Sequence, residues 1–325
     1  WLYGLFGLAT LACGLASTYA GLMAARIAAG IFGGVLSALS QTVVADVVPF
    51  ERRGVAMGVV MTSFSVSTVA GVPLGLFLAA HWSWHLPFFA IAVLVALLWL
   101  FIWQTFPVLD AHVHHHRGRR AWAGIADVLG DVGHLRAFAL TGAMMLAGFL
   151  VIPYITIYLQ SNSGMRADQV PWIYLCGGVA TLFTGRWIGR LSDRLGKARM
   201  FRYMAWLLPL PLMATTLSEG LPLWALLLIS TSLFTVMSGR MIPGMALISS
   251  AAHPRLRGTF LSLNASIQSA AMGVAALGGG LIIGRDAQGH LTHYWVAGLL
   301  GSLLSLATLW LVSRVRVHDS ATPPR

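Results

Sequence analysis

Runs of about 20 apolar residues, broken only by short charged or turn-forming connections, recur along the whole chain, and that length matches a helix crossing a bilayer core about 30 Å thick. Ten such runs are read, at residues 1–18, 20–45, 54–80, 84–106, 136–159, 170–188, 200–217, 221–250, 258–284 and 292–313. They are too long for barrel strands and lack alternation, so each must satisfy its backbone hydrogen bonds internally, as a helix. The expected fold class is all-α, a polytopic membrane helix bundle. Composition agrees: 57% of residues are hydrophobic and 10% charged, against about 25% charged in ordinary globular chains. Ten acidic and 21 basic side chains cannot cover a water-facing surface on 325 residues, which argues against a soluble enzyme or scaffold. The net charge of +11 does not indicate nucleic-acid binding, because the basic residues lie between apolar runs instead of forming one patch. Cys13 and Cys176 both fall in apolar runs and form no CxxC or Cys/His spacing.

The basic residues fix an expected orientation, since Lys and Arg in short connections stay in the cytoplasm. Seventeen of the 21 fall in alternate connections, among them Arg52 and Arg53, the group from Arg186 to Arg202, Arg255 and Arg257, and Arg314. Both ends of the sequence and residues 107–135 are therefore expected to be cytoplasmic. The organisation read from this is an N-terminal half at 1–106, a linker at 107–135, a C-terminal half at 136–314 and a tail at 315–325. The linker carries His112, His114, His115 and His116, a solvated cluster or a metal site; with no second ligand pair nearby the solvated reading is preferred.

An internal repeat follows from two matching connections. Pro49 precedes Arg53-Gly54 as Pro254 precedes Arg257-Gly258, an offset of 258 − 54 = 204 residues. That offset places the counterpart of the charged segment from Gly189 to Arg199 upstream of Trp1. The expectation is two six-helix halves, with two helices preceding the first residue given, in the parallel-repeat plan of secondary transporters. The segment Gly189-Arg190-Leu191-Ser192-Asp193-Arg194-Leu195-Gly196-Lys197 resembles the G-x-L-x-D-R-x-G-K/R signature of the major facilitator superfamily. Arg26 with Gly30, Gly33 and Gly34 is similar to the family's fourth-helix arginine motif. Gly71-Val72-Pro73-Leu74-Gly75 is similar to the fifth-helix packing motif of exporters, with Val72 inserted. The likeness covers essentially the whole chain, and is greatest to the arabinose-efflux and drug:proton antiporter branch.

The motif residues carry distinct expectations. Gly189, Asp193, Arg194, Gly196 and Lys197 are expected to form a conformational latch, with Asp193 accepting from N–H groups at the start of the next helix, and by symmetry Asp46 and Arg53 are expected to face the corresponding loop of the first half. The alternative is a loop that only orients the chain. Arg26 and Arg240 lie inside apolar runs, where an arginine facing lipid costs several kcal/mol, so each is expected to meet a partner or line the transport pathway. Asn264 and Gln268, spaced i and i+4, form a polar stripe that lines the pathway or bonds a neighbouring helix. Tyr154 and Tyr158 beside Pro153 suggest a bend with aromatic faces for an amphipathic ligand, or a packing kink. The pairs Gly54/Gly58, Gly71/Gly75, Gly185/Gly189 and Gly280/Gly284 read as close helix contacts.

No acidic residue sits deep in a run, and Gly196-Lys197-Ala198 lacks the spacing of a phosphate loop, so no nucleotide site, cofactor or catalytic group is expected. The resemblance implies a secondary transporter working by alternating access in a bacterial inner membrane, exporting a drug or sugar-like small molecule against protons. The alternative is an uptake permease for a sugar or organic anion, for which Arg26 and Arg240 would be natural partners.

Overall fold

Apolar runs too long to be strands wind into helices wherever the described chain permits. The computed structural model describes residues 1–47, 66–105, 121–253 and 256–315. The chain divides into two compact units, Trp1–Arg120 and Ala121–Arg325. In unit 1, helix α1 (Leu2–Leu15) packs on α2 (Tyr19–Val47) and on α4 (Leu86–Thr105). A single π turn at Ser67–Gly71 leads into α3 (Val72–His81), with Pro73 in its first turn. Gly14 of α1 lets α4 approach closely: a Cβ there would lie 2.7 Å from the Phe89 ring.

Unit 2 begins earlier than its first apolar run. Helix α5 (Ala121–Gly130) lies inside the segment read as a linker, yet it packs on unit 2, with Val128 fully buried in the core. Asp131 then caps α6 (Val132–Phe149), accepting from the N–H groups of Gly133 at 2.6 Å and His134 at 3.4 Å. The run continues through a 3₁₀ turn at Ile152–Tyr154 into α7 (Ile155–Ser161), the break falling at Pro153, which cannot donate to the ladder. After it come α8 (Val170–Leu195), α9 (Lys197–Leu207), α10 (Pro209–Thr216), α11 (Leu223–Ala251), α12 (Arg257–Ile282) and α13 (Tyr294–Val312). A two-stranded antiparallel hairpin, β1 (Gly284–Arg285) and β2 (Leu291–Thr292), joins the last two helices. Helix α6 is central: it packs on α11, α12 and α13, while α8 packs along α11 and α10 along α13.

Six helical segments among the described residues are long and apolar enough to cross a membrane: Tyr19–Ser37, Leu86–Gln104, Val132–Ser161, Leu223–Ala251, Arg257–Ile282 and Tyr294–Val312. Helix α8 falls outside this set, and α9, at 11 residues, is too short for it.

The charged segment at 189–199 differs from the expected loop. Helix α8 continues through Asp193 to Leu195, and one residue, Gly196 at φ +92°, makes the whole turn into α9. Only glycine adopts that backbone without strain. Asp193 therefore sits in the last turn of α8 and does not cap α9, whose start carries no side-chain cap. The close contacts expected at Gly75 and Gly189 are also absent among the described residues, since a Cβ at either would meet nothing within 4 Å. Gly280 does abut a neighbour, the Tyr154 hydroxyl, 2.7 Å from where its Cβ would be. Gly54, Gly58, Arg53 and the histidines at 112–116 lie outside the described residues, as does the side chain of Asp46.

Candidate functional site

The centre of unit 2 is organised by one cation. Arg240, in the middle of α11, is 1% exposed. Its Nη2 donates to the Met144 carbonyl of α6 at 2.8 Å and its Nη1 to Ser305 Oγ of α13 at 3.2 Å. Ser305 Oγ in turn donates to the Ala205 carbonyl of α9 at 2.8 Å. One guanidinium thus ties four helices together. Its Nε is buried with no hydrogen-bond partner among the described residues. Two glycines flank it where neighbours crowd in: a Cβ on Gly239 would lie 2.8 Å from Ile188, and one on Gly244 would lie 2.6 Å from Met144. Pro243, one turn away, sits inside the helix. A buried cation with no carboxylate beside it among the described residues costs several kcal/mol. The carbonyl and hydroxyl offset part of that cost.

The break in α6–α7 forms the second feature. Tyr154 donates to the Ala276 carbonyl of α12 at 2.6 Å, and Tyr294 of α13 donates to the Val151 carbonyl at 2.9 Å. Tyr158 is buried and lies against Tyr294, ring centroids 4.6 Å apart. Glycines receive this irregular stretch: a Cβ on Gly279 would stand 2.8 Å from the Leu150 carbonyl oxygen, and one on Gly301 would stand 2.5 Å from that of Ala147.

The polar stripe divides. Asn264 is buried, and its Oδ1 accepts from the Thr141 hydroxyl of α6 at 2.6 Å, so it bonds α12 to α6. Gln268, one turn on, is half-buried. An open groove of about 450 Å³ between α8 and α11 is lined by Cys176, Leu227, Leu228, Thr231, Thr235 and Val236. The sequence reading missed it; its trace was the hydroxyl pair Thr231 and Thr235 at i, i+4 in an apolar helix.

Of the latch residues, Asp193, Arg194, Gly196 and Lys197 are exposed and Gly189 half-buried. Asp193 makes no ion pair among the described residues; the pairs found there are Arg166 with Asp168 at 2.9 Å and His290 with Asp286 at 3.4 Å, both in other connections. A carboxylate in the last turn of a helix opposes the helix dipole. In unit 1, Arg26 is exposed on α2, with its guanidinium 5.8 Å from the centroid of the Phe88 ring of α4. Gly71 closes the π turn and Gly75 lies on α3.

The model of the Major Facilitator Superfamily matches residues 1–276 and again 137–325. The chain belongs to this family. It is therefore an integral membrane transporter protein and not an enzyme. It is 25% identical over 317 residues to the MFS-type transporter YtbD of Bacillus subtilis (strain 168), covering 95% of this chain and 77% of that protein. It is 25% identical over 293 residues to a chloramphenicol resistance protein of Streptomyces lividans, covering 86% and 70% of the two chains. A chloramphenicol efflux pump of Mycobacterium tuberculosis (strain ATCC 25618 / H37Rv), Rv0191, is 27% identical over 208 residues, 63% of this chain and 49% of the pump. Among solved structures, a D-xylose-proton symporter superposes with a TM-score of 0.74 at 17% identity, over 94% of this chain and 78% of that one. That likeness is one of fold.

Proposed function

We propose that this transporter exports a small amphipathic molecule by alternating access, coupled to inward proton flow, in a bacterial inner membrane. The observation that carries the reading is the relative named for chloramphenicol resistance, which aligns with 86% of the chain. Ten spans, four before and six after residues 107–135, with the arginine-rich connections in the cytoplasm, give this protein its orientation. In this reading Arg240, Tyr154, Tyr158, Asn264 and Gln268 line or brace the pathway in the second half, and Arg26 contributes from the first. Asp193 lies in a helix end whose dipole disfavours it. It forms with Gly189, Arg194, Gly196 and Lys197 a latch that is made in one arrangement of the halves and broken in the other, with Asp46 and Arg53 in the equivalent role in the first half. Gly71, Pro73 and Gly75 pack the exporter-type helix.

The test uses everted vesicles holding an acid interior and a fluorescent pH indicator. Adding chloramphenicol is expected to dissipate the gradient in vesicles containing the protein and not in controls. No proton movement alongside measured drug flux removes the coupling, and no flux removes the drug class. A second reading, uptake of an organic anion, draws on the buried Nε of Arg240, which has no partner among the described residues. Accumulation of a carboxylate substrate in right-side-out but not everted vesicles would favour it.

A further inference from the structure

At the arginine-rich end of unit 2, a wholly buried histidine joins three segments. His134, in the first turn of α6, is 0% exposed. Its Nδ1 lies 3.2 Å from the Val128 carbonyl of α5. Its Nε2 accepts the main-chain N–H of His253, in the connection between α11 and α12, also at 3.2 Å. The ring packs against Phe260 of α12, centroids 4.9 Å apart.

These partners dictate the protonation state. A carbonyl only accepts, so Nδ1 carries the hydrogen; an amide N–H only donates, so Nε2 is bare. The ring is neutral in the Nδ1–H tautomer. A second proton has one place to go, Nε2, where it would confront another donor and abolish the bond to His253. The ring is buried, so the lost contact is not made up by bulk solvent.

We propose that His134 is a proton-released tether, which holds α5 and the α11–α12 connection against the end of α6 and frees them when that side of the membrane acidifies. Among the described residues, the titratable and charged groups near it on the elements packed around it are Asp127 of α5, Asp131 and Arg136 flanking it on its own helix, His253 of the connection and Arg257 of α12. The Asp131 carboxylate accepts the main-chain N–H groups of Gly133 and His134 and so serves the helix start. Both polar contacts of the His134 ring are to main chain, so its charge state is read directly by the backbone of two other segments. The tether requires the neutral ring, and a second proton on Nε2 removes its bond to His253. An apolar side chain would fill the same space without this dependence. The tether stands on the geometry alone. Its consequence for transport, a change in how readily the inner ends of α6, α11 and α12 separate, rests on the function proposed above.

Hydrogen exchange on the full chain in lipid nanodiscs tests it, at about pH 7.5 and about pH 5.5 and corrected for intrinsic amide rates. Protection of the amides at 124–134 and of His253 is expected to fall at the lower pH, by up to about tenfold per pH unit, as one linked proton requires. His134→Gln offers a donor and an acceptor but does not titrate, and should flatten this step; His253→Gln keeps the main-chain amide and should preserve it. Equal protection at both pH values in the unaltered protein overturns the tether. So does a step that survives in His134→Gln or disappears in His253→Gln. If His134→Gln does not fold, the unaltered protein and His253→Gln decide. Failure of the export assay leaves these outcomes unchanged.

Discussion

Replacing Arg240 by methionine separates what the buried cation does for stability from what it does for transport. The substitution keeps much of the side-chain length and removes two hydrogen bonds from a charged donor, to Met144 O at 2.8 Å and Ser305 Oγ at 3.2 Å. Bonds of that kind contribute about 1.5–3 kcal/mol each, so about 3–6 kcal/mol is lost. Against this, the charge no longer has to be held out of water without a carboxylate, a penalty of several kcal/mol. Neither acceptor is stranded: Met144 O keeps its intrahelical amide partner, and Ser305 still donates to Ala205 O. The terms nearly offset, and the expected net change is within about 2 kcal/mol. Arg240→Ala, which also empties the volume, should lose about 2–5 kcal/mol. Chemical unfolding in detergent, followed by tryptophan fluorescence, gives the stabilities, and vesicle flux gives the activity. The Met variant should unfold near the parent and transport poorly. If it loses more than about 5 kcal/mol, the arginine is a structural anchor and the offset is wrong; if it transports normally, the pathway role is wrong.

Asp193→Asn should insert and fold normally while transport falls at least about tenfold, the size expected if a charge pair worth about 1.4 kcal/mol is lost in one conformation only; unchanged flux removes the latch. Gly279→Ala and Gly301→Ala, whose Cβ atoms would press on backbone oxygens at 2.8 Å and 2.5 Å, should each lower stability by about 1–3 kcal/mol, whereas Gly75→Ala and Gly189→Ala should not; thermal unfolding of the four variants reads the contrast. Gly196→Ala, at φ +92° and ψ 134°, should lose about 1–3 kcal/mol and loosen the α8–α9 turn, seen as faster proteolysis there.

Periodicity and charge made the helices of unit 2 legible because a bilayer demands the same apolar length of each span. Arg240 stood out for the same reason, a charge inside an apolar run. The close glycines did not. Whether a glycine matters depends on which backbone crosses it: Gly301 meets Ala147 and Gly75 meets nothing, though both follow a leucine in an apolar run. The turn at 189–199 was misread because its charges suggested a solvated loop, while Gly196 alone bends the chain and the charges stay helical. Asn264 showed its spacing but not its partner, since Thr141 lies 123 residues away along the chain. Helix α5 was hidden by the polar stretch before it, and His134 carried no signal in the sequence to distinguish it from the other histidines.

The break in α6–α7 gives that span two rods with different attachments. Beyond Pro153 the short rod ends at Asn162, whose amide exchanges two bonds with the backbone of Leu291 in the hairpin, at 3.1 Å and 2.9 Å, while Ser163 holds the Ser218 carbonyl at 3.0 Å. The short rod is thus riveted to the connections after α10 and α12, and the long rod to the helices around Arg240. A spectroscopic label on residue 157 will follow the hairpin, and one on residue 142 will follow the bundle centre. The distance between them is a gauge of bending at the joint.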